Sequence, residues 1–254
     1  MTRNVLYKIP ALALLLFWSC TKDTIVVEEK PNPLVVVDFK AVVKTAALVP
    51  NTQWYTNASL DSFTVTKFNY YITNIKLVRE DGSVYTETES YHLIKHVEGL
   101  TTFTLNDVPE GNYTRMDFLI GVDSTRNVSG AQTGALDPAN QMFWEWNTGY
   151  IFYKMEGAFN TLSQPVKGDY AIHIGGFTGK YSCLQKGSVL LSGNLKPKKG
   201  SVSTIRINTH VEEVFTKPVT IGFDDYYSAI GDPMFKSLSE NYKDMFELAG
   251  IDNP

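Results

Sequence analysis

Residues 63–94 read FTVTKFNYYITNIKLVREDGSVYTETESYHLI, and their pattern decides the fold. Phe63 and Val65 share one parity, Phe68, Tyr70 and Ile72 take the other, and Ile75 and Leu77 return to the first. Side chains alternate between the two faces of a strand, so each change of phase would turn the apolar set outward unless an extra residue absorbed it. The expectation is one long strand from Phe63 to Val78 with a bulge or bend inside it. Asp81-Gly82 then supplies a tight hairpin turn, sending the chain back through a strand from Ser83 to Ile94.

Outward from this hairpin the chain keeps the same character. Strands are expected at Leu34–Val43, Thr101–Leu105, Tyr113–Val122, Tyr150–Phe159, Asp169–Phe177, Ser188–Gly193 and Ser203–Thr209, separated by short turn signals. The tail differs. Asp232-Pro233 offers an N-cap and a proline at the first helical position, and Phe235, Leu238, Tyr242, Met245 and Phe246 recur at three and four. The expected fold class is mainly β: a single antiparallel β-sandwich, jelly-roll or immunoglobulin-like, over residues 34–254, with a short C-terminal helix packed on it.

The first residues are of another kind. Arg3 and Lys8 precede an apolar run, Ile9 to Trp18, that ends at Ser19-Cys20. Residues 1–19 therefore read as a signal peptide, too short to span a bilayer as a mature helix. Leu16-Phe17-Trp18-Ser19-Cys20 resembles the lipobox of bacterial lipoproteins, although Phe17 and Trp18 are bulkier than usual. On this reading Cys20 is the lipidation site, and its two or three acyl chains anchor the chain stably. Residues 20–33, with Glu28-Glu29-Lys30-Pro31-Asn32-Pro33, form a tether. Thr21-Lys22-Asp23 resembles the signal that sends Gram-negative lipoproteins to the cell surface. The expected location is the outer membrane, on its periplasmic or cell-surface face.

Cleavage after Ser19 removes two of the 23 basic residues and none of the 27 acidic ones, leaving 21 against 27, a net charge of −6. Without a basic cluster such a chain has no footprint for nucleic acid. Once Cys20 is committed to lipid, Cys183 is the only thiol left. It has no partner for an intramolecular disulfide, and a buried, inert role leads on base rates.

Residues 121–157 read GVDSTRNVSGAQTGALDPANQMFWEWNTGYIFYKMEG, too long and too rich in tryptophan for a linker. Here the chain resembles the MbnP-like family, the methanobactin-associated periplasmic copper-binding proteins and their lipoprotein relatives. The resemblance rests on Phe68 to Leu77, on Tyr91-His92-Leu93, on Gly121-Val122-Asp123, on Met142 to Tyr150 with its Trp144-Glu145-Trp146, and on His173-Ile174-Gly175-Gly176 with Cys183 ten residues on. It implies a copper site of histidines near a tryptophan that a dihaem peroxidase-like partner oxidises to kynurenine. Carried over by position, the ligands are His92 and His173, and Trp144 or Trp146 is the residue modified. Gly175-Gly176-Phe177 departs from the Gly-Ser-Thr that follows the histidine in copper-binding members.

The residues themselves are compatible with this. His173 alternates against Ile172 and Ile174, as His92 does against Tyr91 and Leu93. Were their strands neighbours, two imidazoles on one surface would suit copper, with Met142 and Cys183 as soft donors lining the site. A strand histidine is, however, more often structural than ligating. Trp144 and Trp146 share a parity that also suits core packing. His96, beside Lys95 near a turn, and His210, beside Glu212-Glu213, read as solvated. Asp123, Asp137 and Asn140 do not exclude calcium, but they lack a cation-loop spacing and suit Asx-turns better.

The resulting expectation is a non-catalytic envelope lipoprotein that binds copper for storage, delivery or acquisition. The alternative is a surface lipoprotein that holds a glycan, peptide or protein through Tyr150, Tyr153, Tyr181, Tyr226 and Tyr227. A tryptophan buried beside a histidine favours metal; an exposed one favours the alternative. No nucleophile elbow, zinc-protease pair or phosphate loop is present, and the carboxylates of Glu212-Glu213 and Asp224-Asp225, adjacent in sequence, point to opposite faces if they lie on strands. An enzyme is the least favoured reading.

Overall fold

The computed structural model describes residues 30–130, 132–144, 149–163, 168–226, 228–230 and 235–254. The signal peptide, Cys20, most of the tether, Trp146, Tyr227 and the Asp232-Pro233 cap lie outside the described residues. The principal strands are β1 (Leu34–Val43), β2 (Lys67–Arg79), β3 (Val84–Thr86), β4 (Tyr91–Lys95), β5 (Thr102–Leu105), β6 (Tyr113–Ile120), β7 (Phe143–Trp144), β8 (Gly149–Asn160), β9 (Gly168–Gly175), β10 (Gln185–Leu195), β11 (Val202–His210) and β12 (Phe246–Asp252). The longest helix among the described residues, Phe235–Tyr242, precedes β12.

Two sheets pack face to face. In the smaller, β11 lies between β12 and β1, and β5 lies on the far edge of β1. The β1–β11 pair is parallel, running from Leu34 opposite Val202 to Val42 opposite His210, whereas β5 and β12 are antiparallel to their neighbours. The larger sheet is organised by β2. Along one edge β2 pairs first with β8 and then with β6; along the other it pairs with β4 and then β3. Beyond β8 lies β9, and beyond β6 lies β10.

Between the sheets is a buried aromatic and aliphatic core. Phe39 of β1 meets Tyr70 of β2 edge-on with ring centroids 6.1 Å apart, and meets Phe246 of β12 at 5.7 Å. Val35, Val37, Ile205 and Ile207 from one sheet and Phe68, Ile72, Tyr153 and Ile172 from the other are fully buried around them.

The expected break in phase is present. The β2–β6 register shifts between Thr73 and Lys76, where Asn74 takes a φ of 53°. That irregularity returns Ile75 and Leu77 to full burial. Three expectations are corrected. The long strand begins at Lys67, and Phe63 sits instead in a separate short strand, Ser62–Phe63, opposite Phe159 of β8. The return strand is two pieces, β3 and β4, because the buried Ser90 intervenes and its Oγ accepts the Ile75 N–H at 2.9 Å. The terminal helix stops at Tyr242; Phe246 opens a strand instead and places its ring among Phe39, Tyr70 and Phe118.

Residues 121–130 and 132–144 fold over the outer face of the large sheet, the face turned away from the core. The Tyr71 and Tyr150 hydroxyls donate to the carbonyls of Ala135 and Leu136 at 2.9 and 2.7 Å. Asp123 caps a short helical turn by accepting the N–H groups of Thr125 and Arg126, and also accepts from Tyr91 Oη at 2.6 Å and Asn74 Nδ2 at 3.0 Å.

Candidate metal centre

Strand register decides whether His92 and His173 share a surface. Lys95, Asn69, Lys154 and His173 stand opposite one another across β4, β2, β8 and β9, and so share one face of the sheet. His92 stands opposite Ile72, three positions along β2 from Asn69 with no shift between them. Its parity is therefore the opposite one. His92 lies on the inner face, its ring stacked on Phe103 with centroids 3.7 Å apart and its Nε2 on Glu87 Oε2 at 2.8 Å. His173 lies on the outer face. The expectation that both imidazoles hold one ion does not fit this geometry.

Around His173 the donors are specific. Its Nε2 lies 2.7 Å from Glu156 Oε1, a side chain two residues from Lys154 on the same face of β8. The hydrogen bond from His173, helped by Lys154 and Lys67, outweighs burial and holds the Glu156 carboxyl down to about 2. An ionised carboxylate only accepts, so Nε2 donates to it and Nδ1 is the nitrogen left for a ligand. This is the outer-shell partner that a ligating histidine needs. Lys154, buried, donates to the Gln141 carbonyl at 3.1 Å, and desolvation lowers its pKa.

Trp144 lies against β9 at Gly175. It is 7% exposed, and a Cβ placed on Gly175 would come within 2.5 Å of its Cζ3. Gly175 is two residues from His173 and shares its face, so the indole covers the strand beside that histidine. Phe235 stacks on Trp144 with ring planes 14° apart. Met142 is buried just before it. Cys183 is buried too: its Sγ lies 3.4 Å from the Tyr181 carbonyl, and burial pushes the thiol up to about 11.

Other expectations resolve one by one. His96 is part-buried rather than solvated: it is stacked on Phe68, bonded through Nε2 to Tyr70 Oη at 3.0 Å, and desolvation drives its pKa down to about 3. His210 is part-exposed, with Nε2 on Glu247 Oε2 at 2.8 Å. Asp123 and Asp137 accept backbone N–H groups, and Asn140 donates to Gly134 and Ala135 carbonyls, as loop caps do. Among the described residues no three His, Cys, Asp or Glu side chains gather as a metal cluster. His173 thus stands on the outer face with Glu156 as its orienting partner and no second imidazole beside it. Sequence reasoning missed Lys154 and Glu156; their signal was two charges of equal parity inside the otherwise apolar β8.

Among the described residues no helix is long and apolar enough to cross a membrane. No curated protein matches the chain. A solved structure, MbnP from Methylosinus trichosporium, is similar in fold, with a TM-score of 0.50 at 13% identity, covering 86% of this chain and 98% of that one. The model of the MbnP family matches residues 32–230, the span that holds β1 to β11, the covering loop and His173 but not β12. By that match, the chain belongs to the MbnP family.

Proposed function

We propose that the protein is a non-catalytic envelope lipoprotein, anchored through Cys20, that binds copper for storage, delivery or acquisition. His173 is the ligand, through Nδ1; Glu156 fixes its ring; Trp144 shields it from water. Copper held there supplies a one-electron couple and an affinity for imidazole. The single observation that carries the reading is Trp144 buried against Gly175, two residues from His173 on β9. The alternative reading loses two of its aromatics, because Tyr150 and Tyr153 are buried; Tyr181 stays half exposed.

A dihaem peroxidase-like partner belongs to the same proposal.

The test is copper content of the Cys20→Ser chain from copper-fed cells, with and without an oxidising partner co-expressed. Stoichiometric metal retained in His92→Ala and lost in His173→Ala supports the reading. An empty wild-type protein under both conditions overturns it in favour of a metal-free binding module.

A further inference from the structure

Away from His173, the outer face of the large sheet carries a groove of about 720 Å³. That volume lies within the range of small-molecule sites. Its walls follow from register. Thr86, Lys76, Asp117 and Ser188 stand opposite one another across β3, β2, β6 and β10, and Leu119 opposite Lys186 forms the next row on the same face. Leu119 and the lysine stems give the groove an apolar strip between charged ends.

The charges in this groove are unequally satisfied. Asp117 already receives Arg115 Nε at 2.8 and 3.0 Å and the Ser188 hydroxyl at 2.8 Å. Glu87, on the rim, is held by His92 at 2.8 Å. Lys76 and Lys186 have no partner among the described residues. A chain of formal net charge −4 thus presents two unpaired ammonium groups in one concavity whose acids are already bonded elsewhere.

We propose that this groove is a second binding site, independent of copper, for a small amphipathic anion. Such a ligand has one carboxylate or phosphate head and a short aliphatic body. The head lies between Lys76 and Lys186 and the body along Leu119.

The probe is octanoate, titrated into the metal-free Cys20→Ser chain and followed by backbone amide shifts. Saturable one-to-one shifts at Asn74, Leu119 and Gly187 are expected, with acetate much weaker and octyltrimethylammonium silent. Lys76→Gln/Lys186→Gln, at exposed positions that leave the fold intact, is expected to weaken octanoate about tenfold. Absence of saturable shifts, equal binding of the ammonium or of acetate, or an unchanged affinity in the double variant would each overturn the proposal. Copper is absent throughout, so the outcome does not depend on the His173 reading.

Discussion

Glu156 Oε1 lies 2.7 Å from His173 Nε2, and this contact fixes which ring nitrogen is left for a ligand. Glu156→Gln removes the charge and admits either amide orientation, so the ring loses its set tautomer. Copper affinity is expected to fall about 10- to 100-fold without loss of stoichiometry, as removal of an outer-shell partner does. Competition titration against a chelator checks it. An unchanged affinity would show that Glu156 has no part in metal binding.

Gly175 is where β9 passes under Trp144. A methyl there meets both the indole and the Tyr150 carbonyl at 2.5 Å, and the carbonyl is backbone that cannot step aside. Gly175→Ala is expected to cost about 1–3 kcal/mol by overpacking and to alter the near-ultraviolet signal of Trp144. Urea denaturation with near-ultraviolet circular dichroism reads both. A fully stable variant with an unaltered spectrum would contradict this packing.

His96 makes the fold sensitive to acid. Its pKa is near 3 in the folded protein and about 6.5 when unfolded, so between these values the unfolded chain binds the extra proton. Its contribution is complete above about pH 6.5 and declines as pH falls toward 3, by at most about 1.4 kcal/mol per pH unit. In His96→Phe this slope should vanish, although the lost Tyr70 contact lowers stability at neutral pH. Denaturation midpoints at several pH values test it, and parallel slopes in the two proteins would refute the assignment.

Cys183 should be inert in the folded state. With the thiol raised to about 11 and buried, iodoacetamide at pH 8 is expected to leave it unmodified until denaturant is added. Mass spectrometry before and after unfolding decides the point. Rapid native labelling would mean that the segment around Cys183 opens readily.

Much of the architecture was legible in local pattern. The bounds of Leu34–Val43 follow from its apolar run, and the shift at Asn74 follows from the parity change between Ile72 and Ile75. Phe246 to Asp252 was not legible, because Phe246 continues the spacing of Tyr242 and nothing local says that β11 waits with an open edge. The site shows the same limit. Parity within one strand tells which neighbours His92 or His173 opposes, but only pairing across β4, β2, β8 and β9 tells that the two rings face opposite ways. His96 beside Lys95 reads as solvent-facing, and it is Phe68 and Tyr70 on the neighbouring strand that enclose it.

The parallel pairing of Leu34–Val43 with Val202–His210 also sets an order of events. A ribosome releases Leu34 early and Val202 near the end, so the first strand has no neighbour on that edge while most of the chain is being made. The sandwich cannot close progressively from its N-terminus. It completes only when the last fifth of the polypeptide arrives, and until then one edge of the first strand stays open.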